Sequence, residues 1–137
     1  MSETNPNSRL EVKLPPITVR EDEAKRLNDL ASSCAVLFPR VAHILAQEME
    51  RASVVASNCD LRGVVRMGSK VRYCDDKTGE VLDVELVYPH DADITLKRVS
   101  VLTPVGAALI GLSVGQSIEF QTPRHSNRSL TVLGVSN

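Results

Sequence analysis

The sequence predicts an α+β fold: a short N-terminal antiparallel helical hairpin followed by a C-terminal domain of about five antiparallel strands and one short helix. Two observations predict the hairpin and the domain: apolar residues recur at three- and four-residue spacing up to Ala52, and β-rich runs broken by turn residues follow from Val64. A third is the corner Leu102-Thr103-Pro104-Val105-Gly106, which has the composition of a strand running straight into a helix.

Residues 1–16 are polar, end in Pro15-Pro16, and read as a mobile or extended leader. Thr18-Val-Arg-Glu21 fits a capping box, in which the hydroxyl meets a free N–H and the glutamate reaches back to the cap. Ala24, Leu27, Leu30, Ala31 and Cys34 then form one apolar helical face. Phe38-Pro39 starts a second helix, with Val41, Ile44, Leu45, Met49 and Ala52 on its buried side. The joining segment is short, so the helices lie antiparallel over residues 17–56, and the second is only about 20 Å long. Glu21, Asp22, Glu23, Glu48 and Glu50 read as a solvated face rather than a chelating one.

Residues 57–63 have linker composition, and residues 64–137 form the second unit. Lys70-Val-Arg-Tyr-Cys74 and residues 81–88 are strand-like around the turn-rich Asp75-Asp-Lys-Thr-Gly-Glu80. Asp91 and Asp93, after Tyr88-Pro89, read as turn caps, since Pro followed by Asp is ordinary turn chemistry. Residues 99–102 form a further short run. Thr103 then supplies a hydroxyl cap and Pro104 a first helical residue whose missing N–H would have had no helical partner. The helix continues to Ile110, and Gly111 sits where a left-handed cap is wanted, with Leu112 packing back. Val114-Gly-Gln116 turns the chain into residues 117–121, which pair with residues 130–135 around the turn at 123–128.

Composition excludes several functions. The chain of 137 residues has no Trp, two Phe and two Tyr, which argues against a base-stacking surface or an aromatic-lined ligand pocket. Sixteen Lys and Arg stand against seventeen Asp and Glu, so no basic excess points to direct DNA binding. Cys34, Cys59 and Cys74 are odd in number and far apart, which predicts reduced thiols with no disulfide frame and no zinc knuckle. His43, His90 and His125 are equally scattered, so neither a metal nor a cofactor is expected. No apolar run has membrane-spanning length and the N-terminus lacks signal-peptide character, so a bacterial cytoplasm is the expected home.

Val87-Tyr-Pro-His-Asp-Ala-Asp93 and Val99-Ser-Val-Leu-Thr-Pro-Val-Gly-Ala-Ala-Leu-Ile-Gly-Leu-Ser-Val-Gly-Gln116 carry a resemblance. In order and spacing they are similar to the C-terminal domain of the Gre transcript cleavage factors, across roughly residues 64–135, with a looser likeness over the hairpin. The resemblance implies a domain similar in fold to the FK506-binding proteins. It also implies that this domain holds the rim of the secondary channel of bacterial RNA polymerase while a coiled coil enters the channel. The short hairpin, Val87-Tyr-Pro89 and the run Pro104-Val-Gly-Ala-Ala-Leu-Ile-Gly-Leu-Ser-Val-Gly115 resemble a shortened branch of the family, whose name links it to nucleoside diphosphate kinase, more than they resemble the cleavage factors.

Two departures bear on function. Gln116 stands where an acidic residue is usual, and the hairpin tip, Ser32-Ser-Cys-Ala-Val-Leu-Phe-Pro-Arg40, has none of the carboxylates that help a Gre coiled coil hold its catalytic metal. The resemblance therefore implies a polymerase-binding regulator, not an enzyme, that docks through Leu102, Thr103, Pro104, Val105 and Gly106, competes with Gre-type factors and does not stimulate cleavage. A bland alternative makes the corner a folding element only. Three other functions stand beside it: a true cleavage factor; a peptidyl-prolyl isomerase, for which Phe38, Tyr73, Tyr88 and Phe120 are too few aromatics; and direct control of nucleoside diphosphate kinase, which rests on the branch's name alone. Arg66, Lys70, Arg72, Lys97 and Arg98 offer a basic strip, a pattern that the wet face of a sheet also gives.

Overall fold

The computed structural model describes residues 14–122 and 126–137; most of the leader and His125 lie outside them. Strand β1 (Thr18–Arg20) leads into helix α1 (Glu21–Ser33), helix α2 (Pro39–Arg51) and strand β2 (Ser53–Val55). Strands β3 (Lys70–Asp75) and β4 (Val81–Val87) form a hairpin, and 3-10 turns at Pro89–Asp91 and Ile94–Leu96 lead to β5 (Arg98–Ser100). Helix α3 (Pro104–Leu109) and strands β6 (Ser117–Gln121) and β7 (Asn127–Ser136) complete the fold.

The expected capping box does not form. Thr18 is a strand residue paired with Ser53, and its amide donates to the Gly111 carbonyl at 3.1 Å. The cap position falls to Arg20, which makes no side-chain capping bond. A hydroxyl from outside the helix serves instead: Ser57 Oγ accepts from the Asp22 amide at 3.2 Å. Two helix acids are also not solvated. Glu23 and Glu48 are buried, because each has an arginine: Arg66 lies 3.1 Å from Glu23, and Arg51 donates two bonds of 2.8 Å to Glu48.

Parallel pairing of β1 with β2 closes the hairpin at its base, a strand pair the sequence reading lacked. The larger sheet runs β5-β4-β3-β7-β6 and is mixed, since β5 lies parallel to β4 while the other neighbours are antiparallel. Parallel pairing needs a crossover, and the two 3-10 turns with a left-handed Lys97 supply it. One apolar core joins both units, with Leu27, Leu45 and Met49 of the hairpin packed in the same cluster as Leu86, Leu109, Ile110 and Leu130. Gly111 has φ +81, and a Cβ there would lie 2.8 Å from Ile17 Cβ, so the left-handed turn after α3 also admits the chain segment entering the hairpin.

Candidate functional site

The corner between β5 and α3 is built by two hydroxyls. Ser100 Oγ accepts from the Leu102 amide at 3.0 Å, which turns the chain out of the strand. Thr103 Oγ1 donates to the Ser100 carbonyl at 2.7 Å and accepts from the Gly106 amide at 3.0 Å, so one side chain ties strand end to helix start. Pro104 occupies the first turn as expected. Leu102, Thr103, Pro104 and Val105 are half-buried and present part of their surface outward. Gly106 is buried, and a Cβ on it would overlap the Ser100 carbonyl and come within 2.8 Å of Val101 Cα. It sets the corner's geometry and offers a partner no side chain.

Thr103, Pro104 and Val105 also wall a cavity of about 330 Å³ in the curve of the sheet, facing Tyr73, Phe120 and Leu130. At its end Arg128 donates to the carboxylate of buried Asp75, which further accepts from the Lys77 amide at 3.0 Å and the Thr78 amide at 3.3 Å. Burial raises the Tyr73 hydroxyl above its ordinary value, with Glu80 adding to the shift and Arg128 opposing it, so the phenol stays neutral near pH 7. The pair Asp75 and Arg128 was missed in the sequence because both residues sit in turn-rich runs far apart along the chain; a charged residue ending an alternating strand was the one available signal.

The other candidates are dispersed. Asp93 caps a turn, its Oδ1 accepting from the Thr95 amide at 2.9 Å and hydroxyl at 2.6 Å, and these bonds hold its carboxyl below the usual range. Asp91 instead meets His90 at 3.3 Å. The basic strip is largely matched: Arg66 pairs with Glu23, Arg72 with Asp83 at 2.8 Å, and Arg98 approaches Glu85 at 3.7 Å. Gln116 Oε1 accepts from the Ser113 amide at 2.8 Å, an acceptor's task within the turn. No cluster of metal-ligating side chains occurs among the described residues, and no helix there is long and apolar enough to cross a membrane.

The hairpin tip is apolar and exposed. Val36 is 89% exposed, Leu37 77% and Phe38 54%, where the amide of Phe38 turns back to the Cys34 carbonyl at 2.8 Å. Of the acids along the shafts, Glu48 faces the core and is held by Arg51.

A helical hairpin joined through one core to a mixed five-stranded sheet with a capped strand-to-helix corner is a two-part α+β architecture, and comparison with known proteins gives its family. Residues 60–137 match the family described as transcription elongation factor, GreA/GreB, C-terminal; the chain belongs to that family. It is similar to the regulator of nucleoside diphosphate kinase of Escherichia coli, 34% identical over 119 residues that cover 87% of this chain and 88% of the relative. The expected kinship with the shortened branch is met by this match. Transcription elongation factor GreA of Syntrophobacter fumaroxidans is 38% identical over 93 residues, covering 68% of this chain and 59% of that protein. Among solved structures, a prokaryotic transcription elongation factor GreA/GreB from Nitrosomonas europaea superposes with a TM-score of 0.69 at 33% identity, covering 90% of this chain and 99% of that one.

Proposed function

We propose that this chain is a regulator that docks at the secondary-channel rim of bacterial RNA polymerase through residues 102–106, competes there with Gre-type factors, and does not stimulate transcript cleavage. The observation that carries the reading is the corner itself. Its backbone is locked by Thr103, Ser100 and Pro104 before any partner arrives, while Leu102, Pro104 and Val105 keep surface to offer. A pre-ordered apolar corner loses little conformational entropy on binding.

Family membership supports polymerase as the partner. The tip supports the absence of cleavage: exposed Val36, Leu37 and Phe38 supply no hard anionic oxygen for Mg²⁺, and of the two nearest acids Glu48 is buried and arginine-bound while exposed Asp29 sits about one turn back along α1. The hairpin is also short, since two helices of 13 residues reach only about 20 Å each. It braces or plugs rather than chelates.

Displacement of a labelled Gre factor from core polymerase tests the docking. Excess of this protein releases the label; simultaneous binding of both to one polymerase contradicts the reading. On a backtracked transcription complex the transcript 3′ end stays intact with this protein and is trimmed by a Gre factor, and short products dependent on this protein would contradict the second half.

A further inference from the structure

Four consecutive residues of β6, from Ile118 to Gln121, line a groove of about 620 Å³ between that strand and α2. Side chains alternate between the two faces of a strand, so a groove that touches every residue follows the strand's edge. Strand β6 ends the strand order, and no described strand lies beyond it. The hydrogen bonds at its two ends fix which backbone groups face outward. The Val132 amide donates to the Gln116 carbonyl at 3.0 Å and the Thr122 amide to the Ser126 carbonyl at 3.0 Å, so the even-numbered residues carry the ladder to β7. In an antiparallel pair the residues between them point their backbone groups the other way. The amides and carbonyls of Ser117, Glu119 and Gln121 therefore face away from β7, along an edge open to one more strand.

The walls of the groove say what kind of strand. Ile118 is buried on the inner face of β6, and Ile44 of α2 and Pro104 of α3 add apolar wall. On the outer face Glu119 is exposed, and exposed Glu50 lines the α2 side. Neither glutamate forms an ion pair with a described residue, and the one cation among the lining residues, Arg51, is held by Glu48 and the Pro15 carbonyl. A second copy fits this edge badly. Antiparallel pairing of β6 with itself over its full length sets Glu119 directly against Glu119, and like charges in that position destabilise a sheet. A strand with lysine or arginine at that place gains what the second copy loses.

We infer that the edge of β6 takes up an extended segment of a partner protein in which apolar and basic residues alternate. Its backbone bonds to Ser117, Glu119 and Gln121, its apolar side chains turn inward toward Ile44 and Pro104, and its basic side chains meet Glu119 and Glu50. Main-chain bonds supply the affinity, and the two glutamates supply the choice of sequence. Pro104 is the one residue this site shares with the docking corner, and the site needs no polymerase.

Residue-resolved amide hydrogen exchange on the full chain tests this with two capped peptides of about seven residues, long enough to span β6: one alternates valine with lysine, the other valine with glutamate. The Ser117, Glu119 and Gln121 amides exchange fast in the free chain and are slowed by about tenfold or more by the lysine peptide, and not by the glutamate peptide. Glu119→Lys, a change at an exposed position, binds the lysine peptide about fivefold more weakly and shifts the preference toward the glutamate peptide. No slowing by either peptide at about millimolar concentration overturns the proposal, as does equal slowing by both. Slow exchange of the three amides in the free chain also overturns it, because the edge is then already covered, by a second copy where the slowing grows with protein concentration. None of these results touches docking at residues 102–106, and failure of docking leaves the exchange result standing.

Discussion

Gly106 lies so close to the Ser100 carbonyl that no side chain fits between them. The obstacle is backbone on both sides, so a neighbour cannot simply rotate away. Gly106→Ala is expected to destabilise the fold by about 1–3 kcal/mol, the range for overpacking a tight site, read as a lower urea midpoint with unchanged slope. An unchanged midpoint would show that the corner yields.

Thr103 joins Ser100 to Gly106 through one hydroxyl. Thr103→Val keeps the shape and removes both bonds, with an expected loss of about 1 kcal/mol, while Thr103→Ser retains most of the stability. Equal midpoints for the two variants would contradict the capping role.

Glu23 and Arg66 bind the hairpin to the second unit across 3.1 Å, with little exposure on either side. Glu23→Gln leaves a guanidinium largely buried without its counter-charge and is expected to lose about 1–3 kcal/mol. Glu23→Leu combined with Arg66→Met recovers most of that loss, because removing both charges removes the desolvation cost as well. Additive losses in a double-mutant cycle would show that the two residues act independently.

Asp83 and Asp93 both lie at the surface, so their pairing adds only a small acid-sensitive contribution to stability. Hydrogen bonds from Arg72 hold the Asp83 carboxyl below its ordinary value of 3.8, and those from Thr95 do the same for Asp93. Their folded values are depressed, so the stabilisation is present above the ordinary carboxylate value and is lost as pH falls through the lowered folded values. Urea midpoints are expected to drop as pH falls below about 4, with a smaller drop in a variant carrying Asp83→Asn and Asp93→Asn. An identical drop in the variant would exclude both groups as contributors.

What was legible in the sequence was local. Thr103 and Pro104 announce the corner because cap, proline and helix lie within four residues, and the stripes through Leu27 and Leu45 mark the hairpin because helical periodicity needs no distant partner. Thr18 misled for the converse reason: its hydroxyl and Glu21 have capping-box spacing, but pairing with Ser53 and the bond to Gly111 bring distant backbone to the same residue. Glu23 and Glu48 read as solvent-facing until Arg66 and Arg51 are placed against them in space. The β5 run was visible and its parallel direction was not, since direction depends on how the 3-10 turns carry the chain across. Asp75 and Arg128, which close the cavity behind the corner, meet only through the pairing of β3 with β7.

Residues 102–106 are proposed as the surface that holds polymerase. Pro104→Ala keeps a good helix former at the first turn and removes the ring that fixes the corner, so circular dichroism is expected to report a folded protein. A binding titration of core RNA polymerase with this variant and with the unmodified chain measures the corner's contribution directly. The variant is expected to bind about tenfold more weakly, equivalent to roughly 1.4 kcal/mol; undiminished binding by the folded variant would contradict docking at this corner.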